Sequence, residues 1–352
     1  MSAPQGPKAG EKRAEKAGGG DERAFFVRGG AEKVDGRRHL VYNDKRKILS
    51  RARCGKKEEH DMDKRLFAIV TDSASDLPEE YYAEHDVECI RLGFQMNGVN
   101  YEGEDGKRIG AKEFYDILRS GAMPTTYQVT AEVAKPHFEK FLEQGRDVLV
   151  LAFSSGLSGT EGSYRVAARE LKEKYPQREI VVVDSLCASL GQGLFVDYVV
   201  KKADSGAGLK ETAEYAEGLK LNICHYFTVE NLFHLKRGGR VSAATAVVGS
   251  LLNIKPVLHV DDEGHLVAVS KAMGRKKSVQ ALVKYMEELA EIGPDDPIFI
   301  SHGDCPDDVE YLKELVEKKF PGHTFVINEI GPVIGTHSGA GTLALFFKGR
   351  HR

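Results

Sequence analysis

From Leu66 onward the chain alternates short apolar runs with amphipathic segments, and this alternation limits the fold more than anything else in its 352 residues. Leu66-Phe67-Ala68-Ile69-Val70-Thr71 is a continuous apolar run, the pattern of a strand buried on both faces. Residues 147–153, 179–183 and 297–300 read the same way. Between them, Tyr164, Ala167, Ala168, Leu171 and Tyr175 recur at the three-and-four spacing of one helical face. Further helices are expected over 131–143 and 209–221. Such alternation builds an α/β fold on mainly parallel sheets. The pattern changes beyond residue 221. There, 256–260, the turn Asp261-Asp262-Glu263-Gly264 and 265–270 predict an antiparallel hairpin. The folded part is therefore divided near residue 222, into an N-terminal α/β domain (65–222) and a C-terminal α/β domain (223–352).

The formal net charge of −3 is a cancellation. Through Arg65 the chain carries 18 lysines and arginines against 11 aspartates and glutamates, a net of +7, which leaves 32 against 42, a net of −10, for the rest. Residues 1–64 contain Gly18-Gly19-Gly20 and almost no apolar periodicity. They cannot bury enough surface to offset the entropy of ordering them, so a disordered extension is expected. Translation starting at Met62, just ahead of the first strand, is the alternative. A nucleic-acid-binding arm is a third reading, and no interleaving of aromatic and basic residues supports it. The acidic body itself disfavours a polyanionic partner.

No run of eighteen apolar residues occurs, so neither a transmembrane helix nor integral membrane association is expected. No apolar core follows the first basic residues, which argues against a secretory signal. The five cysteines, Cys54, Cys89, Cys187, Cys224 and Cys305, are odd in number and never form a CxxC pair. That pattern points to a reducing cytoplasm and away from disulfides or zinc.

Chemistry concentrates in a few loops. Ser154-Ser155-Gly156-Leu157-Ser158-Gly159-Thr160 joins a strand to a helix, where hydroxyls and backbone N–H groups favour an anion. The plainer reading is a capping box of Ser158 with Glu161; the surplus of Ser and Gly at a strand's carboxyl end favours a ligand. Pro124-Thr125-Thr126-Tyr127-Gln128-Val129-Thr130 offers hydroxyls to a carboxylate or phosphate, or caps the next helix. In the segment 331–341, four glycines surround His337, as expected of a loop in which backbone approaches a ligand. Arg237-Gly238-Gly239-Arg240 and Gly274-Arg275-Lys276-Lys277 are basic motifs that bind an anion or face water. Asp72-Ser73 holds a ligand or caps a turn. No GxxxxGK[ST], G-x-G-x-x-G or HExxH occurs, so nucleotide and metal sites lack support. A serine hydrolase or acyltransferase using Ser158 with His337 or His302 has candidate residues, but Ser301-His302-Gly303-Asp304 is accompanied by no G-x-S-x-G elbow.

Taken in order, these motifs resemble the DegV family of bacterial lipid-binding proteins. The resemblance rests on Val70-Thr71-Asp72-Ser73, Pro124-Thr125-Thr126, the 154–160 loop, Asp184-Ser185, residues 235–240, residues 249–258 and Val333-Ile334-Gly335-Thr336-His337. It implies a two-domain DegV-like (EDD-type) α/β fold. The N-terminal domain would be mainly parallel and the C-terminal one mixed, with one long-chain fatty acid such as palmitate between them and no other cofactor. It further implies that Thr126 and Ser158 donate to the carboxylate. His337, Arg237, Arg240, Arg275, Ser155 and Gly159 would lie near the head group or the partner surface. In kinase-associated members, a separate ATP-binding subunit phosphorylates the bound acid, so the protein presents substrate and does not itself catalyse. The chain departs from the family pattern at Tyr127, Val129 and Ala340.

Overall fold

A computed structural model describes residues 65–242 and 253–352. The basic segment 1–64, with Cys54 and Met62, lies outside the described residues, as do residues 243–252, which include residues 249–252 of the motif 249–258. Strand β1 (Phe67–Asp72) is apolar up to its last two residues and buried at every position. That is what a strand flanked on both sides and both faces requires. It lies between β2 (Val87–Ile90) and β6 (Asp147–Ala152) in a four-stranded parallel sheet, order β2-β1-β6-β7, completed by β7 (Ile180–Asp184). Val70 stands opposite Val150, and Val150 opposite Val182. A small antiparallel sheet, β4-β3-β5, is built from β3 (Gly93–Met96), β4 (Val99–Glu102) and β5 (Thr125–Tyr127).

Helices α1 (Glu79–Glu84) and α2 (Ala111–Arg119) flank these strands, followed by α3 (Ala131–Glu143) and α4 (Thr160–Lys174). The span of α3 is the predicted one, with the Thr130 hydroxyl accepting the Val133 N–H at its start. In α4, Tyr164, Ala167 and Leu171 are buried on the predicted face. Helix α5 (Leu190–Asp204) differs: every residue from Leu190 to Val200 is buried. A helix that is apolar all round belongs inside a protein. It packs on strands of the second sheet, while α6 (Leu209–Leu219) covers β6 and β7. The helix expected to reach residue 221 ends at Leu219 and tightens into a 3-10 turn, Lys220–Asn222.

The second sheet is mixed, order β10-β9-β8-β13-β11-β12. Its strands are β8 (Ile223–Thr228), β9 (Ile254–Val260), β10 (Leu266–Met273), β11 (Ile298–His302), β12 (Phe325–Glu329) and β13 (Leu343–Lys348). The only parallel pair among them is β11 with β12. The expected hairpin is β9–β10; β10 ends at Met273, three residues beyond the expected end, and its pairing with β9 shifts register between Ala268 and Ser270. Between these strands lie α7 (Phe233–Arg237), α8 (Arg275–Leu289), α9 (Pro306–Lys319) and α10 (Pro332–Ser338). One apolar core runs from Ile69 and Leu149 of the first sheet through Leu194 and Phe195 to Phe227 and Phe346 of the second.

Polar contacts cross the same region. Buried Asp76 accepts the Gly331 N–H at 2.9 Å and the Ser189 hydroxyl, and its carbonyl accepts Asn328 Nδ2 at 2.8 Å. Asp72 is structural: it accepts the N–H groups of Ala74 and Phe153 and is touched by Gln192. Burial raises both acids, Asp72 to about 6 and Asp76 to about 7.

Candidate fatty-acid cavity

A cavity of about 990 Å³, counting the solvent at its mouth, opens between the second sheet, the 153–159 loop, β5 and α10. Its walls are mostly apolar, including Leu92, Phe153, Leu157, Phe227, Val333 and Phe346. Thr126, Ser158, Gly159, Arg240, His337 and Ser338 supply polar groups. Few convergent polar groups in an apolar cleft is the usual make-up of a small-molecule site.

Each polar group is placed by its local sequence. Thr126 sits in β5, a strand that sequence patterning misses because Thr125-Thr126-Tyr127 has no apolar alternation. Pairing of Phe94 with Thr126 fixes its register. The Tyr127 ring lies against Gly93 and Gly103, where a side chain on Gly93 would collide with it. Within the segment 331–341, expected as a glycine-rich loop, residues 332–338 instead form α10. Pro332 occupies its first turn, where no N–H is needed, and Gly339 at φ 84° ends it. This short helix brings His337 Nε2 to 2.8 Å from Thr126 Oγ1.

Ser158 does not form the capping box with Glu161, the plainer reading of this loop. Its hydroxyl contacts Thr160 Oγ1 at 2.9 Å and accepts the Thr160 N–H at 3.2 Å, while Gly159 occupies the cap position of α4. Ser154 is a tether: its hydroxyl donates to the Gly264 carbonyl, and Gly156 fits where only a missing side chain lets the β9–β10 turn approach. Ser155 is exposed and outside the lining; its backbone N–H donates to Asp184.

The arginines divide. Arg240 lines the cavity and donates to the carbonyls of Leu157 and Gly238. Arg237 braces the site from behind, donating to the Pro124 carbonyl at 3.0 Å and the Thr336 carbonyl at 3.2 Å, so it ties the Thr126 segment to the His337 helix. Neither arginine pairs with a carboxylate among the described residues. Arg275 is elsewhere, paired with Asp308 and donating to the Gly341 carbonyl. Burial, with Arg240 and Arg237 close by, lowers the His337 imidazole to about 4, so it is neutral at pH 7. This end of the cavity thus holds positive charge and hydroxyls with no resident anion among the described residues.

A sequence model of the DegV family, described as uncharacterised, matches residues 66–350. The chain belongs to the DegV family. A DegV domain-containing protein of Clostridium perfringens is 44% identical over 283 residues, covering 80% of this chain and 97% of that protein. Among solved structures, a DegV family protein from Thermus thermophilus, described for its fatty acid binding, superposes with a TM-score of 0.73 at 33% identity. It covers 80% of this chain and 99% of its own. A stearic acid-binding protein from Eubacterium ventriosum gives 0.71 at 26% identity, covering 80% and 98%. The DegV architecture, parallel sheet first and mixed sheet second, is the one described above.

Sequence reading of this DegV chain missed Ser189, His225, Ser338 and Thr342, which also line the cavity. Ser189 left no signal because its exposure to the cavity depends on a left-handed backbone, φ 54°, ahead of α5. Ala344 and Phe346 were readable only as alternate positions of one strand. No helix of the described residues is long and apolar enough to cross a membrane.

Proposed function

We propose that this protein binds one long-chain fatty acid, with its carboxylate at Thr126 and Ser158 and its acyl chain in the apolar cavity. The observation that carries this is the cavity's asymmetry. Hydroxyls, neutral His337 and the unpaired Arg240 gather at one end of an otherwise apolar enclosure. A carboxylate there accepts charge-assisted hydrogen bonds, and the buried chain contributes about 0.8 kcal/mol per CH₂. The fatty-acid binding described for the Thermus thermophilus and Eubacterium ventriosum relatives supports the same reading. Native mass spectrometry of the purified protein, before and after incubation with palmitate or oleate, tests it. A stoichiometric adduct released by organic solvent is expected, and protein that stays empty throughout refutes it.

Presentation of the bound acid to an ATP-dependent acyl kinase is the second part of the proposal. A bound carboxylate at the mouth is chemically placed to receive a phosphoryl group, and no GxxxxGK[ST] motif is present to hold the donor. Division of the folded part near residue 222, with the lipid between the two domains, belongs to the same proposal. The serine hydrolase alternative needs a nucleophile bonded to a base. Here His337 Nε2 pairs with Thr126 and Ser158 pairs with Thr160, while His302 Nδ1 faces the Cys305 N–H. Nothing in this geometry favours it.

A further inference from the structure

Strand register gives the cavity a direction. Alternate residues of a strand share a face, and Thr342, Ala344 and Phe346 all line the cavity. Thr342 belongs to the head end: its hydroxyl reaches the carbonyls of Ser338 and Gly339 at the close of α10. Phe346 lies four residues on, roughly 13 Å farther at about 3.3 Å per residue. The neighbouring strand follows the same path, with Phe227 opposite Ala344 and His225 opposite Phe346.

At the far end His225 and Phe346 both line the cavity, with their rings at 89° and centroids 5.3 Å apart. His225 is held on every side. Its Nδ1 bonds the Ile223 carbonyl at 2.9 Å, and its Nε2 accepts the Ala188 N–H at 3.3 Å. A side chain on Gly191 would stand 2.1 Å from Nε2, so helix α5 backs the ring directly. Burial and the nearby Arg352 keep the imidazole neutral. With both nitrogens occupied, it offers the cavity only carbon.

We infer that His225 and Phe346 form the wall against which the methyl end of the acyl chain stops, and so set the longest chain the protein accepts. The inference rests on the fatty-acid reading above and adds a chain-length limit to it.

The test measures the full chain's affinity across saturated acids from dodecanoate to eicosanoate. Wild-type affinity is expected to rise with each methylene and then drop sharply at one length. His225→Ala and Phe346→Val should each move that drop to longer acids. Each newly accommodated methylene then adds about fourfold in affinity, the equivalent of ~0.8 kcal/mol. Phe346→Val removes no hydrogen bond, so it decides the matter if His225→Ala fails to fold. A drop at the wild-type length in the folded variants overturns the inference and leaves the fatty-acid reading standing. Failure of the wild type to bind any acid removes that reading, and this one with it.

Discussion

Thr126 Oγ1 and His337 Nε2 meet at 2.8 Å although 211 residues separate them in the chain. The contact joins a three-stranded sheet to a seven-residue helix, and Arg237 braces both segments by donating to the carbonyls of Pro124 and Thr336. This polar end of the cavity is therefore assembled by tertiary structure, from one hydroxyl segment, one helix and one arginine brace.

If the carboxylate binds there, Thr126→Val and Ser158→Ala should each weaken oleate binding by about 1–3 kcal/mol, the range for leaving a charged partner without its hydrogen bond. Because both donors serve one carboxylate, the double variant should lose less than the sum. Titration calorimetry reads all three. Full affinity in both single variants would move the head group elsewhere in the cavity.

His337 should report the ligand's charge. Its folded value of about 4 reflects burial and two nearby arginines; a bound carboxylate favours the protonated ring and should raise it. His337 should then favour binding as pH falls through the raised value, for as long as the ligand remains a carboxylate. Ring proton shifts of His337 followed through a pH titration, with and without palmitate, check this. A midpoint indifferent to palmitate would separate His337 from the head group.

Asp76 carries a second pH signature, in stability. Its acid is raised from 3.8 to about 7 in the folded protein by burial, so the native state binds the proton more tightly than the unfolded chain. Its stabilising effect is full below pH 3.8 and is lost as pH rises through about 7. The slope is ~1.4 kcal/mol per pH unit while the two states differ by one proton. Asp76→Asn mimics the protonated acid and should remove that slope from urea-unfolding midpoints measured between these limits. Identical pH dependence in the two proteins would show that Asp76 does not titrate as its burial requires.

Removing residues 1–61 should leave oleate affinity unchanged, because the family match begins at residue 66 and the described cavity-lining residues all lie beyond it. The same truncation tests the basic segment for nucleic acid. Salt-dependent binding to duplex DNA that vanishes on truncation would assign it that role.

The sequence made strands legible where burial makes them continuously apolar, as at residues 67–71 and 148–152, and helices where one face repeats, as at Tyr164, Ala167 and Leu171. It also showed Thr126 and Ser158 as hydroxyl clusters. It hid β5, whose three residues are paired by a neighbour and not by their own pattern. It hid α10 as well, since glycines at 331, 335 and 339 read as loop while Pro332 and the end at Gly339 make a helix. Arg275, expected near the head group or the partner surface, pairs with Asp308 outside the cavity lining, a partner that a basic motif does not disclose.

Strand β13 is the last strand in the chain yet lies in the interior of its sheet, between β8 and β11. During synthesis on the ribosome, β8 and β11 must each wait with an open edge until residues 343–348 emerge. Insertion of that strand closes the sheet, sets Ala344 and Phe346 into the cavity wall, and follows the arrival of His337 by only a few residues. The cavity wall therefore cannot close before residues 343–348 have emerged, and closing contacts of such long sequence separation makes folding slow.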